Sequence, residues 1–130
     1  MNDLLAQYKG TGKYILIVED DPSNQKFFHY ALNRYFDICL ADSFETALDQ
    51  LNEKNVEVII LDLAIHGEKD GLELTRHLRA SEKWNVVPIL AVTAHVMKYN
   101  KEDVLRAGCN MFFTKPIDIK ELSMIIHQYL

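Results

Sequence analysis

Three short runs constrain the fold of this chain more than any other feature. Residues 14–18, 58–61 and 88–92 are continuously apolar and rich in β-branched side chains. A strand with one wet face alternates polar and apolar residues, whereas an unbroken apolar strand is covered on both faces. Residues 37–40 and 111–114 are weaker strand candidates. Helical signals lie between them. Asp21 is placed to cap a helix with Pro22 at its first position, where a missing N–H costs nothing, and Phe27, Phe28, Ala31, Leu32 and Tyr35 follow at helical spacing. Ser43 precedes Phe44, Ala47, Leu48 and Leu51, an i, i+3, i+4, i+7 stripe. A third helix starts near Gly71 and carries Leu74 and Leu78; a fourth is predicted over 96–106, stopped by Gly108. Asp118, with Glu121 as capping-box partner, opens a fifth whose buried stripe is Leu122, Ile125, Ile126 and Tyr129. Strand then helix, five times over, predicts an α/β fold with a parallel sheet between helix layers and right-handed crossovers.

Residues 1–13 read as an N-terminal extension, a linker or short added helix, ahead of one domain over 14–130. Basic residues number 14 and acidic ones 19, and a net charge of −5 argues against direct nucleic-acid binding. No apolar run approaches the ~20 residues that cross a bilayer, and residues 1–7 lack the pattern of a signal peptide. Cys39 and Cys109 show no metal or redox spacing. They read as small core residues in a reducing compartment, which predicts a cytoplasmic protein without membrane attachment. The five histidines share no metal spacing either.

In open parallel sheets the ligand site lies beyond the carboxyl ends of the strands. Strand one ends in Glu19-Asp20-Asp21, strand three in Asp62, strand four in Thr93-Ala94 and strand five in Lys115-Pro116. Carboxylates gathered at one edge repel unless protonated or bound to a cation. With oxygen donors alone, a hard divalent ion such as Mg²⁺ suits them. A carboxylate can also accept a phosphoryl group, and a lysine, a hydroxyl and a metal around one Asp suffice for that transfer.

Several stretches, in this order and spacing, carry a resemblance. They are Ile15-Leu16-Ile17-Val18-Glu19-Asp20-Asp21, Ile59-Ile60-Leu61-Asp62, Asp70-Gly71-Leu72-Glu73-Leu74, Pro88-Ile89-Leu90-Ala91-Val92-Thr93-Ala94 and Thr114-Lys115-Pro116. Over 14–130 the chain resembles the receiver domains of bacterial response regulators. The resemblance implies a flavodoxin-like, doubly wound, five-stranded parallel sheet of order 2-1-3-4-5. It implies that Asp62 is the phosphoacceptor and that Asp20 and Asp62 ligate Mg²⁺ (or Mn²⁺), with Glu19 often acting through water and the Ala64 carbonyl completing the set. Thr93, Lys115 and the N–H groups of Ala64 and Ala94 would hold the phosphoryl oxygens. Thr93 and Phe112 would form the switch pair, although an aromatic in a buried strand is equally explained as core. The Lys115–Pro116 bond is expected to be cis, aiming Lys115 at Asp62.

The implied role is signalling rather than enzymatic. A histidine kinase or histidine phosphotransfer protein donates the phosphoryl group. A downstream protein reads the face made by the fourth helix, fifth strand and fifth helix. Two features depart from the common pattern. Ile65 and His66 stand where Met-Pro is usual, and the stretch from Asp62 to Asp70-Gly71 is one residue longer. A pseudo-receiver, a binding module that never carries phosphate, is the alternative this loop supports. The C-terminal receiver of a hybrid histidine kinase is another, compatible with residues 1–13 and Asn24. A haloacid-dehalogenase-like phosphatase would need a second acid two residues after its nucleophile, where Ala64 stands. Nucleotide-binding folds need a glycine-rich first turn, the opposite of Glu19-Asp20-Asp21-Pro22. His95 is a candidate modulator near Thr93, and Trp84 is expected at the far end of the sheet.

Overall fold

Unbroken apolar strands require a sheet with no wet face, and the computed structural model, which describes residues 2–130, has one. In chain order the elements are α1 Asn2–Leu5, β1 Tyr14–Val18, α2 Pro22–Asn33, β2 Asp37–Ala41, α3 Phe44–Glu53 and β3 Val56–Asp62, followed by α4 Gly71–Arg79, β4 Ile89–Thr93, α5 Lys101–Ala107, β5 Met111–Thr114 and α6 Ile119–Tyr129. All strand pairs are parallel, in the order β2-β1-β3-β4-β5. This is the doubly wound, flavodoxin-like arrangement expected from the alternation and the resemblance.

Successive side chains of each strand enter opposite layers. Leu16, Val18, Ile59, Leu61, Ile89 and Ala91 pack with Phe44, Ala47 and Leu51 of α3, Leu74 and Leu78 of α4, and Val104 of α5. Ile15, Ile17, Val58, Ile60, Leu90 and Val92 pack with Phe28 and Leu32 of α2 and Leu122 and Ile126 of α6. Each fully buried aliphatic side chain contributes about 1.5–3 kcal/mol. Both cysteines are buried and unpaired. Among the described residues no helix is long and apolar enough to cross a membrane.

Side-chain caps fix where the helices begin. Asp21, Ser43, Asp70, Asn100 and Asp118 each accept from N–H groups of the first turn. The reciprocal capping box forms at Ser43 and Thr46; the Asp118 carboxylate accepts from the Lys120 and Glu121 N–H groups. Two expectations need correction. The fourth crossover helix starts at Lys101, not at 96, because the Asn100 side chain accepts from the Asp103 N–H and ends the preceding loop. Phe27 sits at helical spacing yet is 53% exposed, turned away from the core that holds Phe28. Trp84 lies ahead of β4, where its carbonyl accepts from Arg79, at the opposite end of the strand from Thr93.

The N-terminal stretch packs on the α2/α6 layer. Leu5 is fully buried there, Tyr8 stacks on Phe36 at 5.6 Å and hydrogen-bonds His127 Nδ1, and Lys9 donates to Asn33 at 2.8 Å. The Gly10 and Gly12 N–H groups donate to the Asp37 carboxylate at 2.9 and 3.0 Å and, Gly10 foremost, hold its pKa below the ordinary value. Leu5→Ala should therefore lower the unfolding free energy by about 2 kcal/mol in a urea titration and speed exchange of the Gly10 and Gly12 amides. A loss below about 0.5 kcal/mol would mean this stretch adds nothing to the fold.

Candidate functional site

Parallel strands all end at the same edge, so the residues after β1, β3, β4 and β5 meet there. Glu19 is 1% exposed, Asp62 7% and Thr93 fully buried. One oxygen from each of Glu19, Asp20 and Asp62 lies within 4.8 Å of the others. Lys115 reaches in from the end of β5. Its Nζ is 2.6 Å from Glu19 Oε1 and 2.9 Å from Asp62 Oδ2. The Lys115–Pro116 bond is cis, as expected.

The pKa directions follow from this crowding. Burial pushes the Glu19 carboxyl upward; the Lys115 hydrogen bond opposes this, and the Asp62 charge adds to it. Burial works against the charged form of Lys115, but the hydrogen bonds to Glu19 and Asp62 outweigh it and move the ammonium upward. Lys115 is thus held as a cation between two acids. A carboxylate buried this far without such a partner would cost several kcal/mol.

Backbone donors complete the cluster. The Ala64 N–H donates to Asp62 Oδ1 at 3.0 Å and the Asp21 N–H to Glu19 Oε2 at 3.2 Å. Gln25 of α2 donates to the Glu19 carbonyl at 3.1 Å and the Ala41 carbonyl at 3.3 Å. The Thr93 hydroxyl oxygen accepts from the His95 N–H at 2.9 Å, so His95 touches Thr93 through its backbone while its residue is exposed. Ala94 begins this exposed loop. Phe112 is half-buried on β5 against the layer holding α3, α4 and α5.

Two contacts were not legible in the sequence. The Tyr99 hydroxyl, from the loop before α5, directs its one proton between two acceptors, the Leu63 carbonyl at 3.1 Å and Asp70 Oδ2 at 2.8 Å. Burial first, then Asp70, pushes its pKa upward and keeps it a donor. This bond ties the loop after Thr93 to the loop after Asp62. His66 lies against Asp20, its backbone N–H donating to Oδ2 at 2.7 Å. No local pattern announces a long-range tyrosine contact; the unusual His66 was the one available signal.

Glycine at 71 also has a steric cause. A Cβ there would stand 2.6 Å from Leu63 Cα and 3.0 Å from the Asp62 carbonyl oxygen. The first turn of α4 presses on the backbone that presents Asp62, and the Gly71 N–H donates to the Leu63 carbonyl at 2.9 Å.

A family model described as the response regulator receiver domain matches residues 15–127. The polar-differentiation response regulator DivK of Brucella ovis is 32% identical over 126 residues, covering 91% of this chain and 96% of DivK. The receiver domain of the sensor histidine kinase PA1611 from Pseudomonas aeruginosa, solved with a magnesium ion coordinated in its active site cleft, is 31% identical. It superposes with a TM-score of 0.80, covering 92% of this chain and 98% of its own. The chemotaxis protein CheY4 of Vibrio cholerae, 21% identical with a TM-score of 0.80 over 91% of this chain and 98% of its own, shares the fold.

Gly71→Ala should cost about 1–3 kcal/mol by overpacking and shift the Leu63 and Ala64 amide resonances. Gly67, with φ +110° and nothing within 4 Å of a Cβ, should respond only through backbone strain of about 1 kcal/mol and leave those resonances in place. An unchanged spectrum for Gly71→Ala would contradict the close approach.

Proposed function

The chain belongs to the response regulator receiver domain family, and from that premise we propose that it is a phosphorylation switch whose acceptor is Asp62. One observation carries the reading: Lys115 Nζ bridges Glu19 Oε1 and Asp62 Oδ2 at the edge where three carboxylates converge. In the transfer a bond forms between an Asp62 oxygen and phosphorus. The phosphorus bond to the donor breaks, and its electron pair leaves with the donor. This chain's residues position charge around that exchange. Lys115 takes the negative charge that builds on the phosphoryl oxygens. The Thr93 hydroxyl and the Ala64 and Ala94 N–H groups supply hydrogen bonds to the same oxygens.

Glu19, Asp20 and Asp62 suit a hard divalent cation: every donor is oxygen, and one ammonium leaves the trio formally negative by two. They would hold Mg²⁺ or Mn²⁺ with the Ala64 carbonyl. Bound there, such an ion neutralises charge on the transferring group.

A histidine kinase or histidine phosphotransfer protein is the proposed donor, meeting the domain in the cytoplasm. A cleft of about 310 Å³ beside Lys115, lined by Asn24, Phe27, Phe28, Pro116 and Ile117, supports approach from the α2 side and gives exposed Phe27 a purpose. The phosphoryl mark adds about −1.5 to −2 charge. Thr93 and Lys115 answer it, and because Lys115 N–H also bonds the Thr93 carbonyl at 2.9 Å, the two respond together. Phe112, the second member of the proposed switch pair, lies on the adjoining strand. The proposed readout is a shifted population at the α5–β5–α6 face, recognised by a downstream protein. Likeness to both DivK and the PA1611 receiver accommodates a stand-alone regulator or the receiver of a hybrid kinase.

Acetyl phosphate with Mg²⁺ should give a phosphoryl adduct in intact-mass measurement. Chelator and Asp62→Asn should each abolish it. Lys115→Ala should slow its formation by about a hundredfold, the scale of removing one charge-stabilising donor. No adduct from acetyl phosphate or from a partner kinase would give the pseudo-receiver reading instead.

A further inference from the structure

One more side chain reaches the outermost of the three acids, Asp20. His66 lies in the exposed loop after β3, at a position where the common receiver pattern has proline. Its Nδ1 stands 2.5 Å from Asp20 Oδ2, the oxygen its own backbone N–H also touches. The imidazole is 90% exposed while Asp20 is 12% exposed, so the ring covers the outer side of the acid. Gly67, with φ +110°, follows it, and residues 66–69 are exposed, leaving the ring room to adjust.

The acid trio offers oxygen alone, which discriminates weakly among small divalent cations. An imidazole nitrogen changes that, because nitrogen donors favour first-row transition ions over Mg²⁺. We propose that His66 is a nitrogen ligand of the cation site, giving this receiver a mixed nitrogen–oxygen set that prefers Mn²⁺- or Co²⁺-class ions to Mg²⁺. The inference rests on Asp20 being a cation ligand, as proposed above. His66 stands outside the group of residues whose donor atoms converge within 4.8 Å, so its ring must turn from Asp20 Oδ2 toward the other two carboxylates to complete the set. The alternative role, a hydrogen-bonding partner that orients Asp20, predicts no selectivity among ions, because it acts on the carboxylate alone.

Calorimetric titration of the full chain with CoCl₂ and with MgCl₂ separates these. The preference for Co²⁺ over Mg²⁺ should be about tenfold larger in wild type than in His66→Ala or in His66→Gln, whose amide can still donate to Asp20. The proton spectrum of the Co²⁺-loaded wild type should show a paramagnetically shifted exchangeable imidazole N–H that both variants lack. An equal preference in all three proteins, with no such resonance, overturns the inference. If Asp20→Asn then still abolishes binding of both ions, the carboxylate site stands without the histidine. A wild type that binds neither ion overturns the inference and the cation reading together.

Discussion

The charge at the carboxyl edge of the sheet is the constraint on which the rest of this structure depends. Glu19, Asp20 and Asp62 sit closer together than three carboxylates tolerate unaided, and Lys115 supplies the one ammonium between two of them. The arrangement is held by elements with large apolar anchors. Glu19 follows β1 and Asp62 ends β3, two strands buried on both faces at the centre of the sheet. Burial of those strands fixes acids that would otherwise move apart. It also desolvates Glu19 and makes the ammonium necessary. Three carboxylates with one ammonium between them leave the cluster short of positive charge, and its oxygen donors could hold a metal ion.

The loops around the cluster give that response somewhere to go. The loop after Asp62 is pinned from three directions: Gly71 lets α4 close on it, Tyr99 donates to the Leu63 carbonyl, and His66 rests on Asp20. Tyr99 belongs to the loop that follows Thr93, so the proposed phosphoryl-sensing hydroxyl and the acceptor loop share one hydrogen-bonded unit. Residues 66–69 of this loop are exposed, while the Ala64 N–H nearer its start faces Asp62.

Much of this was legible because its causes are local. Unbroken apolar runs identify doubly covered strands, and the β1, β3 and β4 runs differ from their observed bounds by at most two residues. The acids and Lys115 stand directly at the carboxyl ends of the strand runs, where a parallel sheet places its ligand site. Errors arose where local pattern and tertiary placement part. Val96 and Met97 mimic the start of an apolar helical stripe, yet they are 50% and 98% exposed in a loop ended by the Asn100 cap. Phe27 fits a core stripe and faces solvent. Tyr99 and its partner Asp70 are 29 residues apart, and only the folded chain brings them together.

Thermal unfolding as a function of Mg²⁺ concentration tests the central claim, that the edge carries uncompensated negative charge fixed by the fold. A ligand that binds the native edge alone stabilises by mass action, by about 2.7 kcal/mol at a hundred times its Kd. The wild-type melting temperature should climb with the logarithm of Mg²⁺ concentration once the site fills. Asp20→Asn should flatten the climb, and matched concentrations of K⁺ should not reproduce it. A wild-type melting temperature that ignores Mg²⁺, or one that climbs equally in Asp20→Asn, would contradict the account.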